Sequence, residues 1–161
     1  MQTKISFGLF LICYVCLSSL ISANPVKITN DHSHSGFGYY NTCPESPDGQ
    51  KIAYTKMLDY SSSDRHAEYP AELWICNRDL TGHEKIFDIS GCSNHNFSRN
   101  VWIDNRTIAL HDQGTNKVYI IDIIKKSVKF SVAAKDIGHN VVNGQLLLGD
   151  AGSIAGIYTF D

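Results

Sequence analysis

The stretch Ser46-Pro47-Asp48-Gly49, which residues 50–54 (QKIAY) follow at once, decides the fold of this chain. Proline presets the φ angle of a turn, aspartate caps its own backbone, and glycine accepts the positive φ that such turns require. The residues after the turn begin a short alternating strand. Further along, residues 73–77 (LWICN) form a second run that ends in its own polar turn. The stretch therefore predicts an antiparallel pair of strands joined through tight turns.

The same arrangement recurs twice, with fewer of the turn residues preserved. Asp104-Asn105-Arg106 stands at the turn of the second unit, and Asn143-Gly144 stands at the turn of the third. We expect Asp48, Asp104 and Asn143 to cap these turns. One column of aligned residues is apolar and the other is aromatic: Ile52, Ile108 and Leu146, then Trp74, Tyr119 and Tyr158. A period of about 40–45 residues built from strands and turns is typical of propeller blades. The competing interpretation is three unrelated hairpins in an ordinary β-sandwich.

The repeat predicts an all-β fold, a partial β-propeller of about three blades of four antiparallel strands, with the last blade incomplete. The predicted strands are 40–44, 51–57, 71–77 and 84–89, then 100–103, 107–111, 118–123 and 127–133, then 139–142, 145–148 and 155–160. The predicted segments are a signal peptide at 1–23, a polar lead at 24–38 and the propeller at 39–161, with blades at about 39–90, 91–134 and 135–161. An unfinished blade exposes strand edges, so we expect self-association through the open edge.

The first 23 residues carry the pattern of a secretory signal peptide. Lys4 supplies a positive charge, residues 5–21 are uncharged and largely apolar, and Ser22-Ala23 places small residues before Asn24. The competing interpretation is a permanent membrane anchor, although the apolar stretch is near the lower limit for spanning a bilayer. We expect cleavage after Ala23, a secreted or periplasmic location, and membrane contact only before cleavage.

Charge and motifs exclude several functions. The formal net charge is −2, and losing Lys4 lowers it to −3, with no strongly basic stretch, so nucleic acid is not an expected partner. The sequence contains no GxSxG, P-loop or HExxH motif. No catalytic residue is assigned, and whether the protein is an enzyme stays open.

Residues 46–55 (SPDGQKIAYT) followed by residues 71–82 (AELWICNRDLTG) resemble the TolB-type, WD-like propeller repeat. The run from residue 34 to 54 is also similar to the opening of secreted oligogalacturonate-lyase-like propellers. The second resemblance implies a lyase with a catalytic base and a divalent metal such as manganese, both contributed by later blades. No matching motif for either is found in this sequence.

Histidine, asparagine and tyrosine side chains concentrate ahead of the first strand of each unit. In a propeller the loops that lead into the innermost strands surround one mouth of the central channel. We therefore expect a ligand site there, although His and Asn are also common loop residues. The candidates are His34, Tyr39, Tyr40, Asn41, His95, Asn96, His139 and Asn140.

A metal site is a weaker hypothesis. His32 and His34 are two residues apart, a spacing that places both rings on one face of a strand. Zinc or manganese needs at least three protein donors. The alternative is a solvent-exposed polar segment with two ordinary histidines.

Three cysteines remain after the predicted cleavage. Cys76 lies within a predicted strand and is expected to be a buried thiol. Cys43 and Cys92 lie near the starts of adjacent blades, and a disulfide between them requires Cα atoms within about 7 Å. The sequence leaves this pairing open.

Two functions from different classes fit these observations. The first is a secreted or periplasmic propeller fragment that acts as a scaffold for an oligosaccharide or a protein. The second is the N-terminal part of an oligogalacturonate lyase-like enzyme, inactive alone. The propeller fold by itself does not choose between them.

Overall fold

The computed structural model describes residues 27–29, 33–38, 42–59, 67–150 and 153–159, in two compact units, Met1–Asn30 and Asp31–Asp161. The predicted signal peptide lies outside the described residues. Every described strand belongs to the second unit, and the described ranges contain no helix. The predicted all-β class is therefore confirmed. Across the same ranges no helix is long and apolar enough to cross a bilayer.

The first sheet is an antiparallel meander of β1 (His34–Gly36), β2 (Lys51–Met57), β3 (Glu68–Asn77) and β4 (Glu84–Ser93). Residues 42–44 of the predicted strand at 40–44 form no strand, and residues 40 and 41 lie outside the described residues. Gly36 pairs with Thr55, and the next pairing along β2 is the bond from the Ala53 N–H to the Pro44 carbonyl, at 2.9 Å. In an uninterrupted ladder the partner of Ala53 would lie two residues after Gly36, but Pro44 lies eight residues after it. The two pairings therefore do not belong to one continuous strand.

The second sheet follows the prediction to within one residue. It contains β5 (Asn100–Asp104), β6 (Thr107–Asp112), β7 (Lys117–Asp122) and β8 (Ser127–Ala133), paired in chain order.

The third sheet contains β9 (Asp136–Ile137), β10 (Gln145–Asp150) and β11 (Ser153–Thr159), in the order β11-β10-β9. The predicted first strand at 139–142 is wrong. Asp136 and Ile137 pair with β10, and after Gly138 the chain leaves the sheet until Val142 bridges Gln145. The strand therefore ends before residue 139.

The three sheets stack face to face, with the second sheet in the middle. One hydrophobic cluster joins Leu73 and Ile89 of the first sheet to Ile108 and Ile121 of the second. Another joins β5, β6 and β7 to β9 and β10. Because a sheet covers each of its sides, all six residues of β6 are buried. Stacked antiparallel meanders of 4, 4 and 3 strands are consistent with a partial propeller.

Two of the three predicted turn caps are confirmed, and the third residue, Asn143, is confirmed as a turn residue. The Asp48 carboxylate accepts hydrogen bonds from the Ser46 hydroxyl at 2.6 Å and the Gln50 N–H at 3.1 Å. The Asp104 carboxylate accepts from the Arg106 N–H at 2.7 Å. Asn143 has a φ of 51°, and the glycine after it has a φ of 69°, as a two-residue hairpin turn requires.

The predicted aromatic column holds in two of the three sheets. Trp74 pairs with Tyr54, which lies two residues after Ile52 of the apolar column. Tyr119 pairs with Leu110, which lies two residues after Ile108. Tyr158 lies opposite Leu146, which belongs to the column itself. The third aromatic residue is thus two positions out of register with the others, and its ring stacks on Phe130 of the second sheet.

A buried carboxylate of the second sheet accepts hydrogen bonds from the first sheet and so holds the two sheets together. Asp112, 3% exposed, accepts hydrogen bonds from the N–H and hydroxyl of Ser90, from the Gly91 N–H at 3.0 Å and from the Gly114 N–H at 3.1 Å. The Gln113 N–H donates to the Gly91 carbonyl at 3.0 Å. We call this contact the Asp112 seam. It lies at the end of β6 that is far from the Ser46–Gly49 turn.

His111 and Asp112 are adjacent on β6, so their side chains face opposite sides of the sheet and do not form a dyad. Asp112 bonds to the first sheet, whereas burial lowers the pKa of His111, which lies near Asp136 at the start of the third sheet. Nε2 of His111 is buried and has no hydrogen-bond partner within the described part of the chain. The imidazole is therefore held in an environment that disfavours its charged form.

The candidate disulfide is not present. Cys43 and Cys92 are free thiols: Cys43 is exposed, while Cys92 is fully buried in β4 opposite Tyr69. One thiol at the surface and the other in the core cannot meet without disrupting the sheet. Cys76 is fully buried, as predicted.

Candidate functional site

A cleft of about 390 Å³ is formed by segments from all three repeated units. It lies beside the Ser46–Gly49 turn, and we call it the inner cleft. Its lining residues are Cys43, Glu45, Ser46, Pro47, Gly49, Val101, Trp102, His139, Asn140 and Val141. The volume is in the range of small-ligand sites.

The first wall of the inner cleft is the Ser46–Gly49 turn. The Gly49 N–H donates to the Ser46 carbonyl at 2.8 Å, and the Ser46 N–H donates to the Lys51 carbonyl at 2.9 Å. Gly49 has a φ of 68°, which side-chain-bearing residues rarely adopt. Hydrogen bonds from Ser46 and Gln50 hold the pKa of Asp48 below its ordinary value. The turn is therefore fixed by its own hydrogen bonds, and Asp48 is not among the residues that line the cleft.

The second wall is the buried edge of β5. The Trp102 indole N–H donates to the Pro44 carbonyl at 2.9 Å, which ties the second sheet to the segment ahead of the turn. The Asp48 N–H donates to the Asn105 side-chain carbonyl at 3.0 Å, which joins the two hairpin turns. These two bonds fix the distance between the first and second walls.

The third wall follows β9, where the chain has left the sheet. The Gly138 N–H donates to the Leu147 carbonyl at 2.8 Å, and His139 and Asn140 come next. Asn140 is exposed, whereas Nδ1 of His139 is buried and has no hydrogen-bond partner within the described ranges. His139 also lines a second cavity of about 210 Å³ with Arg99 and Asp136, which form an ion pair. A buried ring nitrogen without a partner costs free energy until a ligand or water satisfies it.

The charge of the inner cleft is set by Glu45. Its carboxylate lies 3.6 Å from the Arg78 guanidinium, and both side chains are well exposed, so this ion pair neutralises it only weakly. Cys43 is the exposed thiol, and its Sγ lies 3.9 Å from the Glu45 carbonyl oxygen. The arrangement offers hydrogen-bond donors and acceptors together with one carboxylate.

Of the predicted ligand-binding residues that the structure describes, it brings two together in the cleft, His139 and Asn140. His34 pairs with Met57, at the other end of β2 from the turn, about 20 Å away at 3.3 Å per residue. His95 and Asn96 lie in the loop before β5 and do not line the inner cleft. The loops that lead into the sheets and the hairpin turns thus lie at opposite ends of the strands, which the sequence argument did not separate.

The other predicted ligand-binding residues, Tyr39, Tyr40 and Asn41, lie outside the described residues, as does the candidate metal ligand His32. His34, the second metal candidate, is on β1. Among the residues that the structure describes, no group of three His, Cys, Asp or Glu side chains is placed to hold a metal ion.

Sequence reasoning missed Glu45, Trp102 and Val141 as cleft residues. A signal for them was available, because each lies one or two positions ahead of the hairpin turn in its own unit. Aligning the residues before the turns, rather than those before the first strands, would have selected this set.

No family model matches the chain, and neither the curated proteins nor the solved structures contain a match.

Proposed function

We propose that this chain is a secreted or periplasmic β-propeller fragment that binds a carbohydrate or a protein segment in the inner cleft. The observation that carries the proposal is the buried Nδ1 of His139, which has no hydrogen-bond partner among the described residues and lies in the wall of a cleft built from three successive units. A ligand hydroxyl or amide N–H that donates to this nitrogen would relieve the cost of its burial. The TolB-like repeat and the apolar leader support the fold and the location.

The polar groups of the inner cleft favour a neutral ligand rich in hydroxyl groups. The exposed amide of Asn140 offers both donors and an acceptor, and Glu45 accepts from hydroxyls. A uronate would place its own carboxylate near that of Glu45, and like charges repel at short range. This repulsion favours the scaffold over the alternative, the N-terminal part of an oligogalacturonate lyase-like enzyme.

Calorimetric titration of the recombinant chain with neutral oligosaccharides and with galacturonate oligomers of equal length tests the proposal. We expect binding of a neutral sugar that His139→Ala weakens about tenfold, the value of one hydrogen bond. His95→Ala is the matched control, because His95 is exposed and does not line the cleft. Equal effects of both variants would contradict the assignment of the site.

The same titration separates the two functions. Glu45→Gln should strengthen any residual binding of galacturonate oligomers, because it removes the repelling carboxylate. Preferential binding of galacturonate by the unaltered chain, lost on Glu45→Gln, would support the enzyme alternative instead. Binding of a polypeptide that His139→Ala abolishes would keep the scaffold and change the ligand class.

A further inference from the structure

A second cavity, of about 210 Å³, adjoins the inner cleft where the second sheet meets the third. We call it the Arg99 cavity, and its polar side chains are those of Arg99, Asp136 and His139. His139 lies in the wall of both spaces. Val101 of the inner cleft lies two residues after Arg99, and residues at this spacing lie on one side of an extended chain, about 7 Å apart. The two spaces are therefore neighbours along the start of β5.

The polar part of the Arg99 cavity contains an ion pair that joins the two sheets. The Arg99 guanidinium donates to the Asp136 carboxylate, and these side chains are 21% and 47% exposed. The Arg99 carbonyl accepts a hydrogen bond from the His111 N–H at 2.9 Å, and the Lys135 N–H donates to the Gly149 carbonyl at 3.0 Å. Backbone hydrogen bonds thus fix the chain at or next to both partners. Because the two charges are opposite, the pair gives the cavity no net charge.

An ion pair of this kind suits a ligand with adjacent hydroxyl groups. A guanidinium has five N–H donors and no acceptor, whereas a carboxylate only accepts. A hydroxyl group does both, so two neighbouring hydroxyls can accept from Arg99 and donate to Asp136. Nδ1 of His139 is a further acceptor for a ligand hydroxyl, because it is buried and has no hydrogen-bond partner among the described residues. Leu147 and Leu148 add an apolar surface for the C–H groups of a sugar ring.

We propose that the Arg99 cavity is a second sugar subsite, so that the protein binds a neutral oligosaccharide of at least two units across His139. This inference rests on the proposed carbohydrate ligand of the inner cleft and adds the length of that ligand. Sites for drug-sized ligands usually have volumes of about 300–1,000 Å³. The inner cleft lies within this range, whereas the Arg99 cavity is smaller and suits a single sugar ring. An oligosaccharide that fills both spaces covers His139 from both sides.

The dependence of affinity on ligand length gives the first test, and it needs no variant. The probes are glucose, galactose and mannose, each with its β-1,4-linked oligomers of two to four units, titrated calorimetrically into the full chain. We expect the oligomers of one sugar to bind at least about tenfold more tightly than its monosaccharide, because the second unit adds hydrogen bonds to Arg99 and Asp136. Equal affinities for the monosaccharide and its oligomers would overturn the second subsite and leave the inner cleft as a site for one unit.

A double variant assigns this gain to the Arg99 cavity. Arg99→Gln combined with Asp136→Asn removes both charges, keeps the net charge and changes the side-chain volumes little. We expect it to abolish the tenfold advantage of the oligomers and to leave the affinity for the monosaccharide unchanged. Lys85→Gln combined with Asp88→Asn is the matched control, because this ion pair of β4 lies at the surface and lines neither space. The same loss for both ligand lengths, or an equal effect of the control, would overturn the assignment.

Two further outcomes separate this inference from the proposed function. Binding of none of these sugars by the unaltered chain would overturn the carbohydrate ligand itself, and the second subsite with it. If the double variant fails to fold by circular dichroism, Arg99→Lys replaces it, because lysine keeps the charge opposite Asp136 and lacks the planar fork of donors. We then expect a several-fold loss confined to the oligomers, and an unchanged affinity for them would refute the subsite.

Discussion

Replacing Asp112 with alanine is the strongest single test of how the sheets are held together. The substitution removes the acceptor for three backbone N–H groups and one hydroxyl, and all its partners lie between 2.8 and 3.2 Å. Gly91 is buried, so its N–H cannot turn to water, and an unsatisfied buried donor costs about 1–3 kcal/mol. Ser90 and Gly114 are exposed and regain water, so they add about 1 kcal/mol between them.

The expected loss in the free energy of unfolding is therefore about 3 kcal/mol, or about 10 °C in Tm for a domain of this size. Asp112→Asn keeps one carbonyl oxygen as acceptor and should lose about half as much. Asp88→Ala is the matched control, because its side chain is 76% exposed and pairs with Lys85 at the surface. Urea titration followed by circular dichroism measures all three variants. A loss below about 0.5 kcal/mol for Asp112→Ala, equal to that of the control, would refute the reasoning.

Three other predictions follow from the thiols, the buried imidazole and the leader. At pH 8 a thiol reagent should modify Cys43 rapidly in the folded protein, whereas burial raises the pKa of Cys92 to about 12 and should protect it until urea is added. Rapid loss of Cys92 would contradict its place in the core. Burial lowers the pKa of His111 in the folded protein. Below about pH 6.5 the unfolded chain therefore binds a proton at this residue more readily than the folded chain does. Stability should fall as the pH is lowered from 7 to 5, and His111→Gln should flatten this fall; an unchanged slope would contradict it. N-terminal sequencing of exported protein should begin at Asn24, and recovery of the intact leader from membranes would contradict cleavage.

The second sheet was predictable from sequence almost residue by residue because its local pattern and its tertiary environment agree. Alternating apolar residues, compact turns and short loops specify β5 to β8 without outside help. The first and third sheets lose this agreement in their innermost strands. The interruption before Pro44 and the early end of β9 depend on backbone pairing with β2 and β10, which alternation does not encode.

The inner cleft was only partly predictable for a related reason. His139 and Asn140 were chosen as polar residues ahead of a predicted strand, but that strand does not form, and the two residues lie in the cleft because the chain leaves the sheet there. Trp102 was read as part of an apolar strand, and its hydrogen bond to Pro44 joins residues 58 positions apart. Contacts between sheets are invisible to a pattern that runs along one strand.

Asp112 shows the same limit in a polar residue. In sequence it is an aspartate next to Gln113 and Gly114, just after the predicted strand at 107–111. In the structure it is a buried acceptor whose donors include Ser90 and Gly91, from the preceding sheet. The sequence pattern of one unit predicts hydrogen bonds within that unit. The hydrogen bonds of the Asp112 seam join two units, and such a pattern does not predict them.

The two ends of the sheet stack together determine what the inner cleft can do. At one end the Asp112 seam fixes the first sheet against the second, and at the other the bond from the Asp48 N–H to Asn105 joins their hairpin turns. Because the walls of the inner cleft belong to three different units, its width is a property of sheet spacing and not of any one loop. A scaffold of this kind places binding groups on short turns and leaves their geometry to the packing beneath them. The repeat that decides the fold thus also decides where His139 stands relative to Glu45 and Trp102.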